Sequence, residues 1–258
     1  MRRTKPIAVA LLLLLASCDQ ASIVKKMTPP EDEQIAKSYI NLLRQNKFEQ
    51  IQKNVDPSVK SADVKKALVK MAALMPPQEP KSVKVVHVNV VHSSDTYRSD
   101  ISLEYEFPNE WLLINVVIQK KNGVSTLLAF NVDRLRDSLE NLNKFTLAGK
   151  SQLQYAVLAL AILIPLFSLY VLILCVRTRI EKRKWLWVVF IVLGIGQFTI
   201  NWTTGQWRIT PVAVELFGAV GFASPYGPWM ISISIPLGAI VFLLRRGKFD
   251  RTSSQQIQ

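Results

Sequence analysis

From residue 151 to residue 176 the chain carries no charged side chain, and from Tyr155 onward it is almost wholly apolar. As a helix this segment exceeds the roughly 30 Å of a bilayer's hydrocarbon layer, so the simplest environment for it is lipid. Pro165 falls inside it, at a position that kinks a helix. A basic run, Arg177 to Lys184, follows at once. Further uncharged stretches run from Trp185 to Trp207 and from Pro228 to Leu244. The pattern predicts an all-α membrane domain over 149–258 with three spans at about 153–176, 185–203 and 228–244. Residues 209–224 are too short to cross and include Glu215, so they are expected to be interfacial or re-entrant. Residues 245–258 form a polar tail.

Charge placement orients this arrangement. The net charge is +13, and ten of those charges lie beside apolar segments: at residues 1–18, at 177–184 and from Arg245 onward. Residues 19–150 are nearly balanced. A nucleic-acid-binding protein concentrates its basic excess on the folded domain, so nucleic acid is excluded as the expected partner. Positive charge flanking membrane helices stays in the cytoplasm. Both C-terminal clusters reach that side only if residues 19–148 are extracytoplasmic and the number of spans is odd.

The N-terminus agrees. Residues 1–18 have a basic start and an apolar core from Ile7 to Ala16, about half the length needed to cross. That is a secretion signal. The closing Leu15-Ala16-Ser17-Cys18 resembles the bacterial lipobox, which implies diacylation of Cys18 and its exposure as the mature N-terminus. Asp19 behind it resembles the retention signal of Gram-negative lipoproteins at the inner membrane. The second cysteine, Cys175, falls inside a predicted span, so the two cannot build a disulfide or a thiolate metal site.

Residues 19–148 read as an extracytoplasmic α+β domain. Thr28-Pro29-Pro30-Glu31 is a helix start, and Ile35, Tyr39, Leu42 and Leu43 form one apolar stripe behind it. Phe48, Ile51 and Val55 mark a second helix. Ser61 opens a third, which Pro76-Pro77 stops. From Ser82 the period becomes two, predicting strands over 82–92, 96–107, 111–121 and 124–132. Asn122-Gly123 is a strong hairpin signal, so the sheet is a curved antiparallel meander. Ile101, Leu103, Tyr105 and Phe107 face the core, whereas Asp100, Ser102, Glu104 and Glu106 are expected to face water. Leu135, Leu139 and Leu142 mark a last helix.

Helices followed by a curved meander, with Lys47-Phe48-Glu49 after the first helix, resemble the α+β cones of the nuclear transport factor two and ketosteroid isomerase superfamily over residues 28–133. The resemblance implies a cone with a ligand pocket. No active-site motif of that superfamily maps onto this chain, and fold alone does not fix activity.

Few residues carry chemistry. His87 and His92 point to opposite faces of one strand and cannot share a metal. His87 in a pocket is the functional reading, and an ordinary structural histidine the plainer one. Arg208 and Glu215 are the only charges between the second and third spans; charges at membrane depth are commonly functional, although an interfacial site makes them ordinary. Gly194-Ile195-Gly196 reads as helix packing. No nucleophile–base pair, cofactor motif or metal site is expected. The expected function is therefore a bacterial inner-membrane protein whose outer domain binds another envelope protein or a small ligand. The alternatives are an enzyme using a pocket in the cone, or an accessory subunit of a transport complex.

Overall fold

A computed structural model describes residues 20–93, 95–178, 180 and 183–254, so Cys18 and the signal segment lie outside the described residues. The protein is α+β and divides into two compact units, Met1–Leu142 and Asn143–Gln258.

The first unit begins with helices α1 (Gln20–Met27), α2 (Pro30–Arg44), α3 (Phe48–Lys53) and α4 (Val64–Ala72). Strands β1 (Ser82–His92), β2 (Thr96–Glu106), β3 (Trp111–Lys121) and β4 (Val124–Leu135) follow, then a short α5 (Leu139–Leu142). The strands pair antiparallel in chain order. Asn122 and Gly123 both take positive φ, 51° and 77°, as a two-residue hairpin turn of matching twist requires. The register slips between Val85 and His87 and between Val117 and Ile118, and each such bulge bends the sheet. The concave face is filled by the unit's own side chains: Tyr39, Ile40, Leu43, Ile51 and Leu68 from the helices pack on Ile101, Leu103, Tyr105, Leu112, Ile114 and Ile118. Each buried Leu or Ile contributes about 1.5–3 kcal/mol.

Two local expectations are corrected here. Thr28 does not cap α2; its hydroxyl donates to the Val24 carbonyl at 2.7 Å and closes α1, while Pro29 is the N-cap of α2 without a side-chain bond. Nor is the even-numbered face of β2 solvated. Glu104 is buried and its carboxylate accepts the Leu139 N–H at 2.5 Å, while Asn115 donates to Asp100 and Ser102. The polar row is occupied in holding α5 and β3.

The second unit departs from the all-α expectation. Helix α6 (Gln152–Arg177) is as predicted, with Ser151 and Gln154 forming a reciprocal capping box, and it is the one helix among the described residues long and apolar enough to cross a membrane. The expected spans at 185–203 and 228–244 are not continuous helices. After α7 (Lys184–Val192) the chain turns into β5 (Leu193–Asn201), β6 (Trp207–Leu216), β7 (Ala219–Phe222) and β8 (Met230–Ile235), and only then α8 (Leu237–Ser254). These strands form an antiparallel sheet in the order β6-β5-β8-β7. The segment 209–224, expected as an interfacial or re-entrant helix, instead supplies β6 and β7, which turn at Phe217 and Gly218 with φ of 57° and 77° and pair with β5 and β8 at the two margins of the sheet.

The physical reason is a period hidden by hydropathy. Gly194 and Gly196 each cost a helix about 1 kcal/mol. Beyond them Gln197-Phe198-Thr199-Ile200-Asn201 and Ile231-Ser232-Ile233-Ser234-Ile235 alternate polar and apolar residues with period two, which a helix cannot sort into faces.

Candidate functional site

The alternation gives the second sheet one apolar and one polar face. Ile231 and Ile233 of β8, with Phe198 and Ile200 of β5, pack with Val157, Leu158 and Ala161 of α6. Between α6 and the sheet lies a groove of about 550 Å³ lined by Leu160, Ile164, Ile195, Phe198, Ile233 and Ile235, with Gln197 and Ser234 as its polar members.

The polar side chains of the sheet, Gln197, Thr199, Glu215, Ser232 and Ser234, come from β5, β6 and β8. Thr199, Glu215, Ser232 and Ser234 are all at least nine-tenths buried. One Glu215 oxygen, Oε1, accepts from Gln197 Nε2 at 2.6 Å and from the Ser232 hydroxyl. The other, Oε2, is buried without a hydrogen-bond partner, as is Ser234 Oγ. Glycine makes this convergence possible. Gly194 stands opposite Glu215 in the β5–β6 register, and a Cβ there would strike Ser234 Oγ and come 2.8 Å from the Gly218 Cα. The middle strand is bare where the carboxylate must reach across.

The depth of this cluster follows from Gly218. Its carbonyl accepts the Ser234 N–H at 2.8 Å, and a Cβ on it would lie 2.6 Å from Ile164, at the middle of α6. Ser234 is thus level with a point some 20 Å along the helix from either end. The ends differ in chemistry. Trp202, Phe145, Trp229 and Tyr155 gather at one; Cys175, Ile191 and Phe242 pack together toward the other, where Arg177, Lys184 and Arg245 also fall in the chain. Outward faces are greasy: Ile162, Leu163, Leu166 and Tyr170 of α6 and Ile209, Val212, Val214 and Leu216 of β6 are all exposed.

The first unit holds one buried charge cluster, on the concave side of its sheet. Asp32, in the first turn of α2, is fully buried. It accepts from the Tyr97 hydroxyl, and Lys120 Nζ lies 2.8 Å from its Oδ1 as an ion pair. Glu31 takes a second Lys120 contact at 3.0 Å, and the ammonium sits 5.2 Å from the Tyr97 ring centre. Burial pushes the Asp32 carboxyl up, but Lys120 and Tyr97 outweigh it and hold it below its ordinary value. For Tyr97, burial and the neighbouring carboxylate both raise the phenol. The hydrogen bond to Tyr97 and the ion pair with Lys120 tie α2 to β2 and β3.

The residues singled out by sequence scatter. His87 is exposed and pairs with Ser102 on the outer face of the sheet, while His92 pairs with Tyr97 on the inner face. Arg208 is exposed on β6 and forms no ion pair with Glu215 among the described residues. Glu215 is the one candidate placed in a built polar site. Its partners Gln197 and Ser232 were missed, and the signal that finds them is the polar–apolar alternation of β5 and β8. No family model matches the chain, and no curated protein or solved structure matches it either.

Proposed function

We propose that this chain is a bacterial inner-membrane protein, anchored through α6, whose extracytoplasmic α+β unit binds another envelope protein or a small ligand. The observation that carries the reading is the 26-residue helix, uncharged as far as its last residue Arg177, with its outward side chains exposed, because such a surface is stable only against lipid or a partner within it. The gathering of Arg177, Lys184 and Arg245 toward one end, and of tryptophan at the other, supports a cytoplasmic basic end and an outer aromatic belt. Cys18 is the lipid attachment site in this reading. Because the concave face of the cone-like meander is filled by its own core, a protein docking on the surface fits the first unit better than a ligand held deep inside.

Reporter fusions test the topology. A phosphatase that works only outside the cytoplasm should be active when fused after Leu142 and silent after Gly247. The reverse pattern overturns the reading. Substituting Cys18→Ala should abolish acyl labelling, and undiminished labelling would remove the lipid anchor. A second reading, an accessory subunit of a transport complex, is favoured by one observation: a buried carboxylate level with the middle of the only spanning helix among the described residues. The enzyme reading draws no support from His87, which is exposed, or from Glu104, which is engaged with α5.

A further inference from the structure

A carboxylate at the centre of a membrane is costly, and in membrane proteins such groups are paired, solvated in a polar cavity or occupied by a cation. Glu215 has two donors on Oε1 and none on Oε2. No lysine, arginine or histidine forms an ion pair with it among the described residues. The elements around it offer no counter-charge. Strands β5, β7 and β8 contain no titratable residue, and β6 has only the exposed Arg208. Helix α6 contributes Tyr155, Tyr170, Cys175 and Arg177, while α7 and α8 carry their charges at Lys184 and from Arg245 onward. Yet the surroundings are not apolar. The buried Ser232 hydroxyl donates to the carboxylate, Thr199 stands opposite Ser232 in the β5–β8 register, and the buried Ser234 Oγ, next to the Gly194 that faces Glu215, is itself unpartnered.

From the orphaned Oε2, the buried hydroxyls and the missing counter-charge we infer that Glu215 is an intramembrane site for a monovalent cation, a proton or an alkali-metal ion. Oε2 is its primary ligand, and the hydroxyls of Ser232 and Ser234 line its surroundings. Oxygen-only ligands suit a hard cation, and a single carboxylate is neutralised by a single positive charge. Two donors on Oε1 orient the group and leave Oε2 as the acceptor for the occupant. Val214 and Leu216, on either side of Glu215, point outward and are 65% and 66% exposed, so the carboxylate is turned away from the apolar surface of its own strand. The inference rests on the second unit lying in the membrane, and the fusion experiment tests that separately.

Dicyclohexylcarbodiimide tests the site directly on the full chain in liposomes. The reagent partitions into lipid and adds a protonated carboxyl O–H across one C=N bond, then rearranges to a stable N-acylurea with no leaving group. Peptide mapping by mass spectrometry should find the label on Glu215 and lose it in Glu215→Gln. With a proton as occupant, labelling falls as the pH is raised and ignores sodium chloride. With an alkali ion as occupant, sodium chloride protects at fixed pH whereas choline chloride does not. Absence of label at every pH, or labelling indifferent to both pH and sodium, overturns the site. Should Glu215→Gln fail to accumulate, Ser234→Ala and Ser232→Ala retain the carboxylate. Either must shift the pH or sodium concentration giving half-labelling, and identical curves for both overturn the role given to the hydroxyls.

Discussion

Replacing Asp32 with alanine removes a fully buried carboxylate from between Lys120 and Tyr97. Breaking a buried pair by deleting one partner costs about 3–5 kcal/mol, because the other charge is left without compensation. The Lys120 side chain keeps 24% of its exposure and can turn toward water and Glu31, so the lower end applies, about 3 kcal/mol. That corresponds to roughly a hundredfold rise in the opening equilibrium of the first unit. Amide hydrogen exchange on the full chain in detergent reads it locally: peptides from β2 and β3 should exchange about a hundredfold faster, while those from α6 should not change. The pH dependence has a definite sign. The folded carboxyl lies below its ordinary value, so its stabilisation is present above the unfolded value near 4 and is lost as pH falls through the folded one. The difference between Asp32→Ala and the parent must therefore shrink toward pH 3. Asp32→Leu combined with Lys120→Met and Tyr97→Phe should recover much of the loss. Equal exchange in parent and Asp32→Ala at pH 7, or a difference that survives unchanged in acid, would refute the reasoning.

In Glu104→Gln the opposite slope disappears. Burial raises the Glu104 carboxyl despite the Leu139 N–H, so the parent loses stability as pH climbs through that value, and exchange of β2 measured between pH ~4 and ~7 should flatten in the variant. Gly194→Ala drives a methyl into Ser234 Oγ and the Gly218 Cα; overpacking of about 1–3 kcal/mol should lower the melting temperature in detergent, and an unchanged melt would contradict the close approach. Trp202 is buried, stacked on Phe145 at 5.1 Å and donating to the Thr146 carbonyl at 2.8 Å. Trp202→Ala should cost about 3–5 kcal/mol, and Trp202→Phe, which keeps a ring, nearer 1 kcal/mol; equal melting of the two variants would deny the buried ring its part, and a Trp202→Phe melt equal to the parent's would deny the indole N–H its own.

The first unit was legible because its signals were local. Asn122-Gly123 encodes its turn in backbone conformation, and Ile101, Leu103, Tyr105 and Phe107 mark the core face by period alone. What escaped was long-range: that Glu104 would meet α5, 35 residues on, or that Asp32 would find Lys120 across the sheet. The second unit misled through composition. Leucine-rich 152–177 is helical by pattern and by hydropathy together, but between residues 193 and 235 the two disagree, and period two decided the structure. Glu215 was noticed as a charge among apolar residues. Its partners were invisible until Gly194 placed β5 as a bare strip between β6 and β8.

Strand β6 lies at a margin of its sheet, with Ile209, Val212, Val214 and Leu216 uncovered. In water such a ribbon would be a template: its free amides and carbonyls would seek another strand, and its aliphatic rows would seal the contact. On the proposed membrane placement, fibrous precipitate is therefore the expected fate of this half of the protein whenever amphiphile is stripped away, and the detergent chosen for purification governs whether β6 stays single.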